Sequence, residues 1–230
     1  MTFLQPVVSI LDGVMKILYS FTHDWGLSIV VLTLLIRSLL FKLNLSSARQ
    51  QVRSSKVQPI LRDLRTRYAS DPAKLIQKMT ELNTKYGIKP FMPFAAALIQ
   101  MPIFMSLYPY FTMHGAGMTS LIVPWMQSLG ISDPSHLLPY LYGLLSWIGL
   151  SIPLLPEQAA SQPFLLRMGL PLLVVAISMA VMWRSPAALV LYWSVNGAVT
   201  LMERIWYRTP AGRKLLYRGV TGDHPDSGHE

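Results

Sequence analysis

The feature that most constrains this chain is a set of apolar stretches near the roughly 20 residues a helix needs to cross a hydrocarbon core of about 30 Å. We place five, at about 26–44, 93–113, 137–155, 164–183 and 186–204. Segments that cross lipid must satisfy their own backbone hydrogen bonds, so helices are expected. A mean hydropathy of +0.38 with only 13% charged residues agrees. With no cysteine in the chain, disulfides and thiolate chemistry are excluded.

Charge then sets an orientation. The polar segment 46–90 carries ten Lys/Arg against three acids, whereas 114–136 carries none of either basic residue. By the positive-inside rule the first faces the cytoplasm and the second the exterior. The basic tail beyond Glu203, with Arg204, Arg208, Arg213, Lys214 and Arg218, also falls in the cytoplasm. The expected topology is N-out, C-in. Before the first stretch, Val7, Val8, Leu11, Val14, Met15 and Leu18 share one helical face opposite Ser9, Asp12 and Lys16. That pattern predicts an external interfacial helix within residues 1–24. It lacks a basic n-region and a small-residue cleavage site, so a secretory signal is not expected there.

Within 46–90, Val57, Ile60, Leu61, Leu64 and Tyr68 recur at helical spacing, as do Leu75, Met79, Leu82 and Tyr86. Between them "SDP" at 70–72 offers an N-cap followed by Pro at the first helical position, and Gly87 offers a stop. A cytoplasmic helical hairpin with facing apolar stripes is predicted. Its cations form either a solvated face or a contact with ribosomal RNA or anionic lipid. Arg53, Lys56, Arg62, Arg65, Lys74 and Lys78 are the candidates.

Arg37 interrupts "VLTLLIRSLLFKLNLS" at 31–46. A central arginine costs about 2.5–3.5 kcal/mol on insertion scales, and it faces protein or a wet cavity more often than lipid. Thr33, Arg37 and Asn44 fall near one helical face. So do Tyr192, Asn196, Thr200 and Glu203 in the fifth stretch, and Tyr142 and Ser146 in the third; Gln100 sits between apolar turns of the second. Together they predict a hydrated groove, with Glu203, placed near the cytoplasmic surface, as the one acid able to reach Arg37. Paired catalytic carboxylates, H-E-x-x-H and G-x-S-x-G are all missing, so no enzyme, metal or cofactor is expected. The rival reading is an anion channel or solute transporter with Arg37 as its anion site.

Several motifs in order resemble the YidC/Oxa/Alb membrane protein insertases from about Trp25 to Tyr207: "LTLLIRSLLF", "QPIL", "YGIKP", "LIQMPIFMSLY", "SDPSHLLP" and "SPAALVLYWSVN". The short chain looks most like the Gram-positive bacterial branch. Departures include Lys42 where the family commonly has Pro, Ala96 for another Pro, and Glu203 where Gln is frequent. The resemblance implies an all-α polytopic membrane protein, its core over 25–207 and a basic cytoplasmic tail over 208–230. Its five helices would enclose a groove closed externally and open to cytoplasm and lipid. It implies that Arg37 attracts polar segments of client proteins and that the hairpin meets clients or the ribosome. Implied partners are nascent membrane proteins, the ribosome, the Sec translocon and anionic lipids, served by a monomer in the bacterial cell membrane. Met92, Met101 and Met105 would supply either an adaptable client-facing wall or ordinary packing.

Overall fold

The computed structural model describes residues 5–154 and 164–220, and the side chains of all of these except residues 93, 94, 96, 97 and 166. The predicted end at 155, the loop 156–163 and the last ten residues of the tail lie outside the described residues. Among the described residues every regular element is helical. In chain order they are α1 (Gln5–Thr22), α2 (Trp25–Leu39), α3 (Phe41–Arg67), α4 (Pro72–Lys85), α5 (Met92–His114), α6 (Leu137–Ser151), α7 (Phe164–Met182), α8 (Ala187–Trp206) and α9 (Pro210–Tyr217), with a 3-10 turn at Gly115–Gly117. By length and composition no single described helix is long and apolar enough to cross a membrane; the α1–α2 pair, bent by 119°, is so only when taken together.

The core is built on α6 and α8, which pack on each other most extensively, with α2 against α8 and α7 against α6. Leu189, Val190, Tyr192, Leu138, Ile29, Leu32, Leu107 and Phe111 form one buried cluster. The outward faces of α5 and α7 stay apolar, with Leu98, Met101, Met105, Leu172, Leu173 and Ile177 exposed. An exposed apolar belt of this extent marks a surface made to meet another apolar phase.

α1 follows most of its predicted periodicity: Leu11 and Met15 are buried and Val8, Val14 and Leu18 pack against the same cluster, while Val7 is exposed; Asp12 pairs with Lys16 at 2.7 Å. The chain then turns sharply at His23, whose φ of 52° lies in the left-handed region. Asp24 caps α2 by accepting from the Leu27 N–H.

Residues 115–136 pack against the main cluster. Met118, Val123, Met126 and Leu129 are buried in the main cluster. Backbone bonds from Ala187 and Ala188 to Ile131 and Leu129 tie the segment to α8. A Cβ on Gly115 would stand 2.5 Å from the Gly130 Cα, so two backbones meet where no side chain fits. Gly115→Ala is therefore expected to destabilise the chain by about 1–3 kcal/mol, the cost of forcing extra volume into a packed site. A thermal melt in mild detergent reads it.

Two sequence expectations are corrected around Leu40. The helix predicted over 26–44 stops at Leu39, and Asn44 belongs to α3. The hairpin's first arm accordingly begins at Phe41 rather than near 46, and it runs 27 residues with Pro59 inside it. The Leu40 N–H still bonds back to Ile36 and Ser38, which makes the break a local redirection of one helical path. In the second arm Asp71 caps α4 through the Lys74 N–H, Pro72 opens it, and Gly87 ends the region at φ +60°. No residue of α4 is fully buried, and Leu75, Met79 and Leu82 are half-buried. Local capping thus matters more here than packing. Asp71→Ala is expected to cost about 1 kcal/mol, the usual value of an N-cap, read as faster limited proteolysis between α3 and α4.

Candidate functional site

The polar residues singled out along α8 do converge, and they converge on Arg37. Spaced by four, Asn196 and Thr200 lie one above the other on α8. The Arg37 Nε donates to Asn196 Oδ1 at 2.7 Å, and its Nη2 donates to the Asn196 carbonyl at 2.8 Å and to Thr200 Oγ1 at 2.7 Å. Its Nη1 stands 3.6 Å from the Glu203 carboxylate, with 18% and 23% of the two side chains exposed. Glu203 is thus the acid that the sequence singled out as able to reach Arg37; α8 runs to Trp206, two residues past the predicted end at 204. The planar guanidinium, with donors in a fixed fork, satisfies several acceptors on one helix face at once.

Behind the arginine lies a cavity of about 270 Å³ between α2, α6, α7 and α8. Arg37, Tyr142, Ser146, Ser178, Asn196 and Thr200 supply its polar groups, and Leu145, Val174, Val175 and Trp193 line it with apolar ones. Gly149 and Gly197 also line it, and Gly197 lets α8 approach α6 closely, since a Cβ there would come within 3.3 Å of Ser146 Oγ. Sequence reasoning missed Ser178 and the two glycines. Ser178 is one hydroxyl in an apolar run, while the glycines on facing helices were a readable sign of close approach.

Thr33, Asn44 and Gln100 sit outside the cavity, while Tyr142 stands in its wall. Thr33 is fully buried and its hydroxyl bonds back to Ile29 O, so it belongs to the core. Asn44 lies beyond the break and does not line the cavity. The Gln100 amide donates to the Tyr192 hydroxyl, linking α5 to α8 beside the Asn196 turn, where Asn196 Nδ2 donates to Tyr192 O at 2.9 Å. Tyr142 is buried edge-on to Trp193, with ring centres 6.0 Å apart.

The basic residues of the hairpin divide into two groups. Arg53 donates to Gly87 O at 2.9 Å and to Gly219 O at 2.7 Å, and Lys56 lies 5.6 Å from the Tyr217 ring centre. With Arg49 donating to Leu215 O at 3.0 Å, they fasten the base of the hairpin to α9. Arg62 and Arg65 are exposed farther along α3. Lys74 stands over Tyr68 at 5.5 Å, and Lys78 pairs with Glu81 at 2.7 Å, a surface pair whose hydrogen bond raises the lysine and lowers the carboxyl from their ordinary values.

An all-helical bundle with an exposed apolar belt and a hydrogen-bonded arginine beside a half-open cavity fits the core of a helical membrane protein. Comparison with known proteins makes the class specific. Residues 17–213 match the family model described as 60Kd inner membrane protein, and the chain belongs to that family, the YidC/Oxa/Alb insertases. It is 32% identical over 204 residues to the membrane protein insertase YidC of Legionella pneumophila strain Corby, covering 87% of this chain and 35% of that one. It is 32% identical over 209 residues to the YidC of Pseudomonas entomophila, covering 89% and 35%. The chain thus spans about a third of the length of these curated relatives. A crystal structure of active YidC insertase with its first transmembrane domain resolved matches at a TM-score of 0.67 and 22% identity, over 89% of this chain and 46% of that one, and shares its fold. These relatives are Gram-negative, which corrects the expected likeness to the Gram-positive branch. That expectation rested on chain length, and length does not track branch when the matching region lies within longer proteins.

Proposed function

We propose that this chain inserts membrane proteins: it lies in the bacterial cell membrane, N-terminus outside and C-terminus inside, and receives polar segments of nascent clients in the cavity beside Arg37. The observation that carries the reading is the cavity itself, a largely apolar space into which a cationic group and five polar side chains are set. Such a cavity lowers the cost of moving a short polar segment into the membrane. Its apolar side and the exposed belt let the client's apolar segment partition into lipid at about 0.8 kcal/mol per CH₂. The packed segment 115–136 is the outer seal, and the hairpin with its exposed Arg62 and Arg65 is the surface for clients or ribosome. Action alone or beside the Sec translocon, as a monomer, follows the family reading.

Arg37 is engaged by Asn196, Thr200 and Glu203, so much of its charge is already answered within the protein. The exposed apolar belt beside the cavity favours the insertase over an anion channel, since a bare ion has no use for it. The test is reconstitution of the full chain in liposomes without translocon, followed by protease protection of a small client with an acidic translocated tail. Protection of the tail supports insertion; anion flux without protection supports the channel.

A further inference from the structure

The guanidinium of Arg37 is not evenly engaged. Nε and Nη2 are held on α8 by the Asn196 side chain, the Asn196 carbonyl and the Thr200 hydroxyl, all at 2.7 or 2.8 Å. Nη1, with two N–H groups of its own, makes no hydrogen bond among the described residues, and its one ion-pair partner there is Glu203 Oε2 at 3.6 Å. Glu203 stands one turn beyond Thr200 on α8. Its carboxylate accepts no hydrogen bond among the described residues either, since the neighbouring Arg204 donates to Ile152 O instead. A charge-assisted N–H···O bond closes to about 2.7–2.9 Å, so at 3.6 Å the pair keeps its attraction without the bond. Arg37, Asn196 and Thr200 line the cavity and Glu203 does not, so the carboxylate meets the guanidinium from outside that space.

We propose that Glu203 is a resident counter-carboxylate that an Asp or Glu of the client replaces at Arg37 Nη1, and that it thereby sets how strongly the cavity prefers acidic over neutral segments. The proposal deepens the insertase reading and takes its ligand from it. Without a client, the carboxylate answers the cation, which lowers the cost of holding an arginine beside apolar walls. An entering carboxylate approaches Nη1 from the cavity and forms the short bonds that Glu203 does not, while Asn196 and Thr200 keep the fork in place. Glu203, with 23% of its side chain exposed, turns back to water. A neutral polar segment gains nothing from that exchange, so only acidic clients feel the competition.

The test uses the full chain in mild detergent and two labelled peptides, each an apolar segment with a polar end, that differ only in carrying Asp or Asn at the same positions of that end. Binding is followed by fluorescence anisotropy. The preference for the Asp peptide over the Asn peptide is expected to rise about fivefold in Glu203→Gln, the upper end for one ion pair that keeps some solvent, with Asn-peptide binding unchanged. The gain should shrink as salt is raised, because it is a charge effect. Glu203→Asp keeps the charge but draws it back by one methylene, and should fall between wild type and Gln. Arg37→Gln should abolish the preference. The ratio decides even if Glu203→Gln melts early, since both peptides meet the same folded fraction. An equal preference in wild type and Glu203→Gln overturns the proposal. So does an equal weakening of both peptides, which makes Glu203 a structural support alone, or binding of neither peptide to either protein. Insertion into liposomes is scored separately: a chain that shows the shift but translocates no tail keeps its counter-carboxylate and refutes the insertase reading, whereas one that inserts without the shift refutes this proposal alone.

Discussion

Arg37→Ala lowers insertion of an acidic-tailed client by about tenfold or more, equivalent to roughly 1.4 kcal/mol on the barrier. The expectation follows from the three short hydrogen bonds and the ion pair that hold the guanidinium on α8. Removing it leaves Asn196 and Thr200 without their donor and strands a largely buried carboxylate at Glu203, which is costly in its own right. Two causes of the loss therefore have to be separated. Glu203→Gln in the Arg37→Ala background removes the stranded charge: recovered thermal stability without recovered insertion shows that the cation acts on the client. Arg37→Lys keeps the charge but cannot reproduce the fork, so it should fall between wild type and Ala. Protease protection of the tail, measured beside the melting temperature of each variant, distinguishes these cases.

Asp24→Ala should be the most damaging change at the junction of α1 and α2, destabilising the chain by about 3 kcal/mol or more, since one buried and two partly buried donors lose one shared acceptor. Asp24 is 4% exposed and accepts from the Leu27 N–H at 2.8 Å, from the Ser120 hydroxyl at 2.7 Å and from the Leu121 N–H. It therefore joins the start of α2 to segment 115–136. Burial pushes its pKa up, but the bonds from Leu121, Leu27 and Ser120 outweigh burial and hold it below the ordinary value of 3.8. Asp133 is treated alike farther along that segment: burial raises it, and the Leu138 and Ser135 donors bring it down. With folded values below the unfolded one, both carboxylates contribute fully above about pH 4 and lose that contribution as pH falls through their folded values. Melts of wild type from pH 7 downward should steepen below pH 4, and Asp24→Asn, lower throughout, should show a shallower acid limb. Equal acid limbs would contradict the assignment.

Much of this architecture is legible in the sequence. The helices near 93–113, 164–183 and 186–204 emerge within about two residues of those limits, and the one predicted from 137 begins there but ends at Ser151. The facing phase of Tyr192, Asn196, Thr200 and Glu203 is readable from spacing alone, because a continuous helix preserves it. The break at Leu40 is not, since "SLLFKLN" contains no Pro or Gly and every residue in it tolerates a helix. Asn44 falls out of the site for that reason. Thr33 keeps its phase but turns toward the core, where the approach of neighbouring helices decides burial and no single-helix pattern reveals it. Arg53 and Lys56 illustrate the same limit: whether a cation meets solvent or a carbonyl 166 residues away depends on where α9 docks.

The central claim is that client polar segments enter the cavity beside Arg37. Its most direct test is a photo-crosslinker placed at Ser146 or Ser178, inside the cavity, and at Leu173, on the outer face of α7. Each variant is challenged with ribosome-bound intermediates of a client whose acidic segment and apolar segment carry different tags. We expect Ser146 and Ser178 to capture the acidic segment, with loss of that adduct in Arg37→Ala, and Leu173 to capture only the apolar one. Capture of the acidic segment nowhere in the cavity, with adducts confined to Leu173, would contradict the account.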